Sequence, residues 1–128
     1  MDISRVDHVA IICSDYARSK RFYTEILGCS IIEETNRPER QSCKLDLALS
    51  GQYCIELFSF PNPPMRISNP EATGLRHLAF AVQDLDAAMA ELSSKGVVFE
   101  EVRIDSVRGN RFVFFRDPDN LPLELCEV

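Results

Sequence analysis

The chain contains only two histidines, His8 and His77. Each opens an apolar run, Val9-Ala10-Ile11-Ile12-Cys13 after the first and Leu78-Ala79-Phe80-Ala81-Val82 after the second. Residues i, i+2 and i+4 of a strand share a face, so His8 lies with Ala10 and Ile12, and His77 with Ala79 and Ala81. Small neighbours leave space beside each imidazole, as a cavity requires. Two glutamates sit between aliphatic residues, Glu56 in Ile55-Glu56-Leu57 and Glu124 in Leu123-Glu124-Leu125. A carboxylate buried in such a strand must be paired or bound to a cation. Two imidazoles and two carboxylates converging from four strands would hold a divalent metal. With no thiol among the candidates, Ni²⁺, Co²⁺, Zn²⁺, Mn²⁺ and Fe²⁺ all suit the donors. On an octahedral ion, four protein ligands leave two positions for water or substrate, so the site could be catalytic. Taken singly, a strand histidine is more often a core or surface residue, and either glutamate could face solvent. The matched placement of the two pairs is what favours a shared site.

That matching comes from an internal repeat. His8 to His77, Ala10 to Ala79 and Asp15 to Asp84 share an offset of 69 residues, and Gly28 to Gly96 and Glu56 to Glu124 an offset of 68. Each half reads as a strand, a helix and three further strands. The first half begins with a strand over 6–13. Asp15 then caps a helix with an apolar stripe of Phe22, Tyr23, Ile26 and Leu27, and Gly28 stops it. Leu45, Leu47 and Leu49 alternate with Lys44, Asp46 and Ala48 in a half-buried strand, and a turn at 50–52 leads into a strand over 53–60. In the second half Asp84 caps a helix with Leu85, Ala88, Met89 and Leu92 on its stripe. Strands follow near 97–104, 110–116 and 121–127, the last two joined by Asp117-Pro118-Asp119-Asn120. The expected organisation is therefore a first module over 1–60, a proline-bearing linker over 61–74 and a second module over 75–128.

Composition narrows the function classes. The 128 residues carry 14 Lys+Arg against 20 Asp+Glu, a net charge of −6. No basic footprint for a phosphate backbone is present, which argues against a nucleic-acid partner. The longest apolar runs have five residues and the N-terminal residues lack a signal peptide's apolar stretch, so neither a membrane span nor export is expected. Five cysteines without a CxxC pair fit neither a disulfide framework nor a zinc-thiolate site, and reduced thiols of a cytoplasmic protein are the simplest reading.

The chain resembles the vicinal oxygen chelate superfamily of glyoxalase I, bleomycin-resistance proteins and extradiol dioxygenases along its whole length. The likeness is carried by His8-Val9-Ala10-Ile11, by Arg21-Phe22-Tyr23-Thr24-Glu25-Ile26-Leu27-Gly28 and by Phe115-Arg116-Asp117-Pro118-Asp119-Asn120-Leu121-Pro122-Leu123-Glu124-Leu125. It is most similar to small bacterial glyoxalase-like proteins. The resemblance implies an α+β fold in which two βαβββ modules form a curled eight-stranded mixed sheet around a metal. It also implies His8, Glu56, His77 and Glu124 as the ligands. Four such ligands match bacterial-type glyoxalase I, often a Ni²⁺ or Co²⁺ enzyme, whereas Glu56 would be surplus in an extradiol dioxygenase. The implied reaction isomerises the thiohemiacetal of a 2-oxoaldehyde, with the metal stabilising an enediolate and Glu124 moving the proton between adjacent carbons.

Two positions depart from the pattern. Ile12 stands where glutathione-dependent members usually carry an arginine, and an apolar side chain does not replace a bidentate guanidinium. Asn120 stands where the last turn usually has glycine, a change that asparagine tolerates. Arg37, Arg40, Arg108 and Arg111 lie in segments that could border a cavity and bind an anionic substrate. Cys54 and Cys126 lie two residues from Glu56 and Glu124 and could line the same cavity.

The expected function is a metal-dependent glyoxalase-I-like isomerase, of the lactoylglutathione lyase type, in which Glu124 and Glu56 are the catalytic carboxylates. Its small vicinal-oxygen substrate need not be linked to glutathione. The alternatives are an extradiol-type dioxygenase and a non-catalytic protein that sequesters a small bleomycin-like molecule. A homodimer is expected, because small members of this superfamily often build their sites across two chains.

Overall fold

The computed structural model describes residues 1–128. The chain divides into two compact units, Met1–Pro64 and Met65–Val128, and the division falls inside the proline-bearing segment 61–74. The first unit runs β1 (Val9–Cys13), α1 (Tyr16–Arg21), β2 (Ser30–Arg37), β3 (Ser42–Leu49) and β4 (Gln52–Ser59). The second runs β5 (Leu78–Val82), α2 (Leu85–Ser94), β6 (Arg103–Ile104), β7 (Arg111–Arg116) and β8 (Pro122–Glu127). The fold is α+β, and each unit is one βαβββ module. The eight strands form two four-stranded mixed sheets, in the order β1-β4-β3-β2 and β5-β8-β7-β6.

In each sheet the first and last strands of the module pair in parallel, and all other pairs are antiparallel. Register then sorts the side chains into rows. Ile11, Leu57 and Leu45 stand opposite one another across three strands of the first unit, and Leu57 and Leu45 are fully buried. Phe80, Leu125 and Val113 form the equivalent row in the second. The next residue along each strand faces the other side of the sheet, giving the rows Ala10–Glu56–Asp46 and Ala79–Glu124–Phe114. The ligand-type glutamates therefore sit on the sheet face opposite the core.

Both helices start as their sequences require. The Asp15 carboxylate accepts from the Arg18 N–H at 3.1 Å, and that of Asp84 from the Ala87 N–H at 2.9 Å. Beyond the end of α2, Gly96 has a φ of +91° that lets the Val97 N–H return to the Leu92 carbonyl at 3.1 Å. α1 is shorter than its stripe predicts, because Phe22–Ile26 widens into a π-helical turn before Gly28. Here the Thr24 hydroxyl donates to the Lys20 carbonyl at 2.7 Å, competing with the regular helical ladder.

Three strand boundaries differ from expectation. The first strand begins at Val9 rather than residue 6, so His8 immediately precedes it. The expected strand over 97–104 shrinks to Arg103–Ile104, and upstream a single bond from the Glu100 N–H to the Phe114 carbonyl ties the chain to β7. Between β3 and β4 the register slips. Ile55 faces Leu47, whereas Tyr53 faces Ala48, so Cys54 is the extra residue of a bulge. Ala48 is buried and Leu49 is half-buried at this slip.

Arg111 closes the second module through its ion pairs. Its guanidinium donates to both Glu127 oxygens at 2.9 Å and reaches Asp86 at 3.3 Å, while Glu127 also caps the Leu85 N–H at 3.1 Å. Arg111, then the Leu85 amide, hold the Glu127 carboxyl down at about 2. No helix is long and apolar enough to cross a membrane.

Two outcomes follow for stability. Asp84→Ala should destabilise the fold by about 1 kcal/mol in chemical denaturation through loss of the α2 cap. Glu127 has a folded pKa below its ordinary value of 4.5. It therefore stabilises the fold above that value and loses its contribution as pH falls toward about 2. The stability gap between wild type and Glu127→Gln should be constant near neutrality and close across that acid window. A gap independent of pH would contradict the clamp.

Candidate metal centre

The parallel strand pairs bring each histidine to one glutamate of its own unit. Ala10 stands opposite Glu56, and Ala79 opposite Glu124, so the histidine two residues earlier lies diagonally across from the carboxylate on the same face. The alanine methyl leaves the diagonal open. His8 Nε2 lies 3.4 Å from Glu56 Oε1, and His77 Nε2 lies 3.0 Å from Glu124 Oε2. Both glutamate side chains are largely buried, 14% and 12% exposed, whereas the imidazoles are 36% and 29% exposed. Neither unit by itself assembles three or more metal-type side chains.

Each glutamate turns one oxygen toward the imidazole and has the other tied back. Glu56 Oε2 accepts from the Tyr53 hydroxyl and lies 3.3 Å from Lys44 Nζ. Lys44 shares the Glu56 face because it lies two residues from Asp46, which stands opposite Glu56. Tyr53 reaches the carboxylate because the Cys54 bulge resets the alternation of β4. Tyr53, not Cys54, is therefore the neighbour that bonds Glu56. The phenol, then the ammonium of Lys44, hold the Glu56 carboxyl below the usual carboxylate range. In the second unit Cys126 Sγ donates to Glu124 Oε1 at 2.7 Å. Burial, then the carboxylate beside it, push the Cys126 thiol up to about 11, so at neutral pH it is a protonated donor.

The imidazoles are oriented by opposite charges. His8 Nδ1 lies 2.9 Å from Asp7 Oδ2, whose carboxyl is held low first by that bond. A carboxylate only accepts, so Nδ1 carries a proton, and in its neutral form the ring presents an Nε2 lone pair to Glu56. Carboxylate-bound histidines of this kind are common at metals. His77 Nδ1 lies 3.1 Å from Arg76 Nη1, which only donates, so a neutral, metal-free ring carries its proton on Nε2 toward Glu124. A metal at Nε2 would take the place of that proton, with Nδ1 protonated and Arg76 turned away from it. Tyr53 flanks His8 at 5.3 Å between ring centroids, and Phe114 meets His77 edge-on at 5.1 Å.

These donors fit a divalent ion. Two ligands each about 2.1 Å from one ion, at angles of about 90–110°, stand about 3.0–3.4 Å apart. That is the separation of the nitrogen and oxygen in both pairs. In the neutral form of His8 two lone pairs face one another at 3.4 Å, an arrangement that a proton or a cation between them relieves. The set is nitrogen and oxygen only, which suits first-row divalent metals.

A family model described as Glyoxalase/Bleomycin resistance protein/Dioxygenase superfamily matches residues 5–125. The chain belongs to this superfamily. It is 58% identical to the uncharacterized protein YwkD of Bacillus subtilis, over 99% of each chain. A crystal structure of a glyoxalase family protein from Enterococcus faecalis superposes with a TM-score of 0.92 at 45% identity, covering 99% of this chain and 100% of that one. A more distant relative is the lactoylglutathione lyase of Schizosaccharomyces pombe, 28% identical over 98% of this chain and 48% of that protein.

Asp7, Lys44, Tyr53, Arg76 and Phe114 were not singled out from the sequence. Asp7 and Arg76 precede the two histidines at the repeat offset of 69, and that juxtaposition was their only signal. Of the four expected anion-binding arginines, Arg37 stacks over Phe58 at 5.8 Å and Arg111 is clamped by Glu127 and Asp86. Ile12 is 55% exposed, and Asn120 adopts a φ of +66° in the β7–β8 turn.

Proposed function

We propose that His8, Glu56, His77 and Glu124 together hold one divalent metal ion, and that the protein is a metal-dependent glyoxalase-I-like isomerase. The four ligands come from one chain or from two chains of a homodimer. The observation that carries this reading is the repeated pair, an imidazole nitrogen and a carboxylate oxygen 3.0–3.4 Å apart in each unit. When bound, the metal supplies Lewis acidity toward the vicinal oxygens of a small substrate.

The rest is done by the chain's own residues. Glu124 takes the proton from the carbon beside the substrate carbonyl and returns it to the adjacent carbon. Cys126, bonded to the far oxygen of Glu124, positions that carboxylate. Tyr53 and Lys44 hold Glu56 ionised and oriented, and Asp7 keeps the His8 Nε2 lone pair directed at the site. A carboxylate in each unit favours isomerisation over the extradiol alternative, whose metal needs two histidines and one carboxylate. Exposed Ile12 offers no guanidinium to a glutathione carboxylate, so the thiol carrier, if any, is bound by other groups.

Purified protein should contain a divalent metal, or take up Ni²⁺ or Co²⁺, at one ion per site by elemental analysis. Glu124→Gln should lower turnover of a 2-oxoaldehyde–thiol adduct by about a hundredfold or more. Tyr53→Phe should weaken metal affinity about tenfold by freeing Glu56. Wild-type metal content and turnover in both Glu56→Gln and Glu124→Gln would overturn the assignment. Failure to bind any metal, with tight binding of an unaltered small molecule, would point to sequestration instead.

A further inference from the structure

The second unit contains a cavity of about 340 Å³ between the segment after Met65 and the sheet of β6, β7 and β8. Four arginines line it, Arg66, Arg76, Arg103 and Arg116, against only two carboxylates, Glu71 and Glu100. In a chain of net charge −6, its wall carries an excess of two positive charges. None of these arginines was among those expected to bind an anion.

The guanidinium groups are held but incompletely neutralised. Arg66 donates to the Leu75 and Arg76 carbonyls at 2.9 Å each, and none of its bonds goes to a carboxylate. Glu71 pairs with Arg76 at 3.1 Å. Glu100 is shared loosely between Arg116 at 3.4 Å and Arg103 at 4.0 Å. Exposed pairs of such length contribute little and give way readily to a better acceptor. The Arg103 guanidinium lies 5.4 Å and that of Arg76 5.8 Å from the Phe114 ring centroid. Packing of a guanidinium on an aromatic face leaves its N–H edges free for bidentate bonds to an oxyanion. Like charges gathered in one concave wall raise one another's energy unless an anion joins them.

We propose that this cavity binds a small dianion, a phosphate or a dicarboxylate group, and that it holds the charged end of the substrate. The second part rests on the isomerase reading above. Phe114 and Arg76 link the cavity to the candidate centre. Phe114 stands opposite Glu124 and packs on His77, and Arg76 bonds His77 Nδ1. A dianion among the arginines therefore places the remainder of its molecule beside the His77–Glu124 pair. This provides the anion recognition that Ile12 does not.

Calorimetric titration of the metal-free protein with phosphate, malonate and acetate at low ionic strength tests the site. Phosphate and malonate should bind, and acetate about tenfold or more weakly. The tighter of the two dianions distinguishes a phosphate ester from a dicarboxylate as the natural group. Arg103→Gln/Arg116→Gln should weaken dianion binding by about tenfold or more, while keeping the wild-type melting temperature and Ni²⁺ uptake. Glu124→Gln should lose Ni²⁺ affinity and still bind the dianion. If wild type binds the dianion but no metal ion, the metal reading fails and the cavity stands. Absence of dianion binding by wild type, or undiminished binding by the double arginine variant, overturns the proposal.

Discussion

Parallel pairing of the first and last strands within each module is the constraint on which the rest depends. It sets Ala10 against Glu56 and Ala79 against Glu124, and the alternation of a strand then carries the preceding histidine diagonally to the carboxylate. A slip of one residue would turn the glutamates into the apolar rows and the leucines out toward the imidazoles. Burial of Leu45, Leu57, Val113 and Leu125 opposes that slip. The hydrophobic face of each sheet thus fixes the chemistry of the other.

The two modules share this geometry but not its electrostatics. His8 is backed by a carboxylate and His77 by a guanidinium, and the far oxygen of the glutamate is bound by Tyr53 and Lys44 in one unit and by Cys126 in the other. Where the first unit has Asp46 opposite its glutamate, the second has Phe114, around which arginines gather. The first module surrounds its histidine–glutamate pair with Asp7, Tyr53 and Lys44, whereas the second has an arginine-lined cavity beside its pair. The common geometry follows the internal repeat, and the flanking residues are where the two modules differ.

The repeat, the helix caps and the placement of Glu56 and Glu124 in the last strand of each half were legible because they follow from strand alternation and turn chemistry. The pairing of each glutamate with the histidine of its own half came only from the strand register. The short β6 was not, because Val97–Val102 reads as a strand although the backbone joins its neighbour there through one bond. Nor was the Cys54 bulge, since a register slip depends on the partner strand and leaves no mark in β4 alone. That slip is why Tyr53 rather than Cys54 meets Glu56. The cavity arginines were missed for a related reason. Arg66 and Arg76 lie ten residues apart on irregular backbone and meet Arg103 and Arg116 only through tertiary packing.

The central claim is that the imidazole–carboxylate pair of each unit is half of one metal site. Anomalous diffraction from crystals grown with Ni²⁺ or Co²⁺ tests it most directly. The account predicts one ion bonded through His8 Nε2, Glu56 Oε1, His77 Nε2 and Glu124 Oε2, with the two pairs drawn from one chain or from two. An ion bonded to cysteine sulfur, or to the pair of one unit without the other, would contradict it.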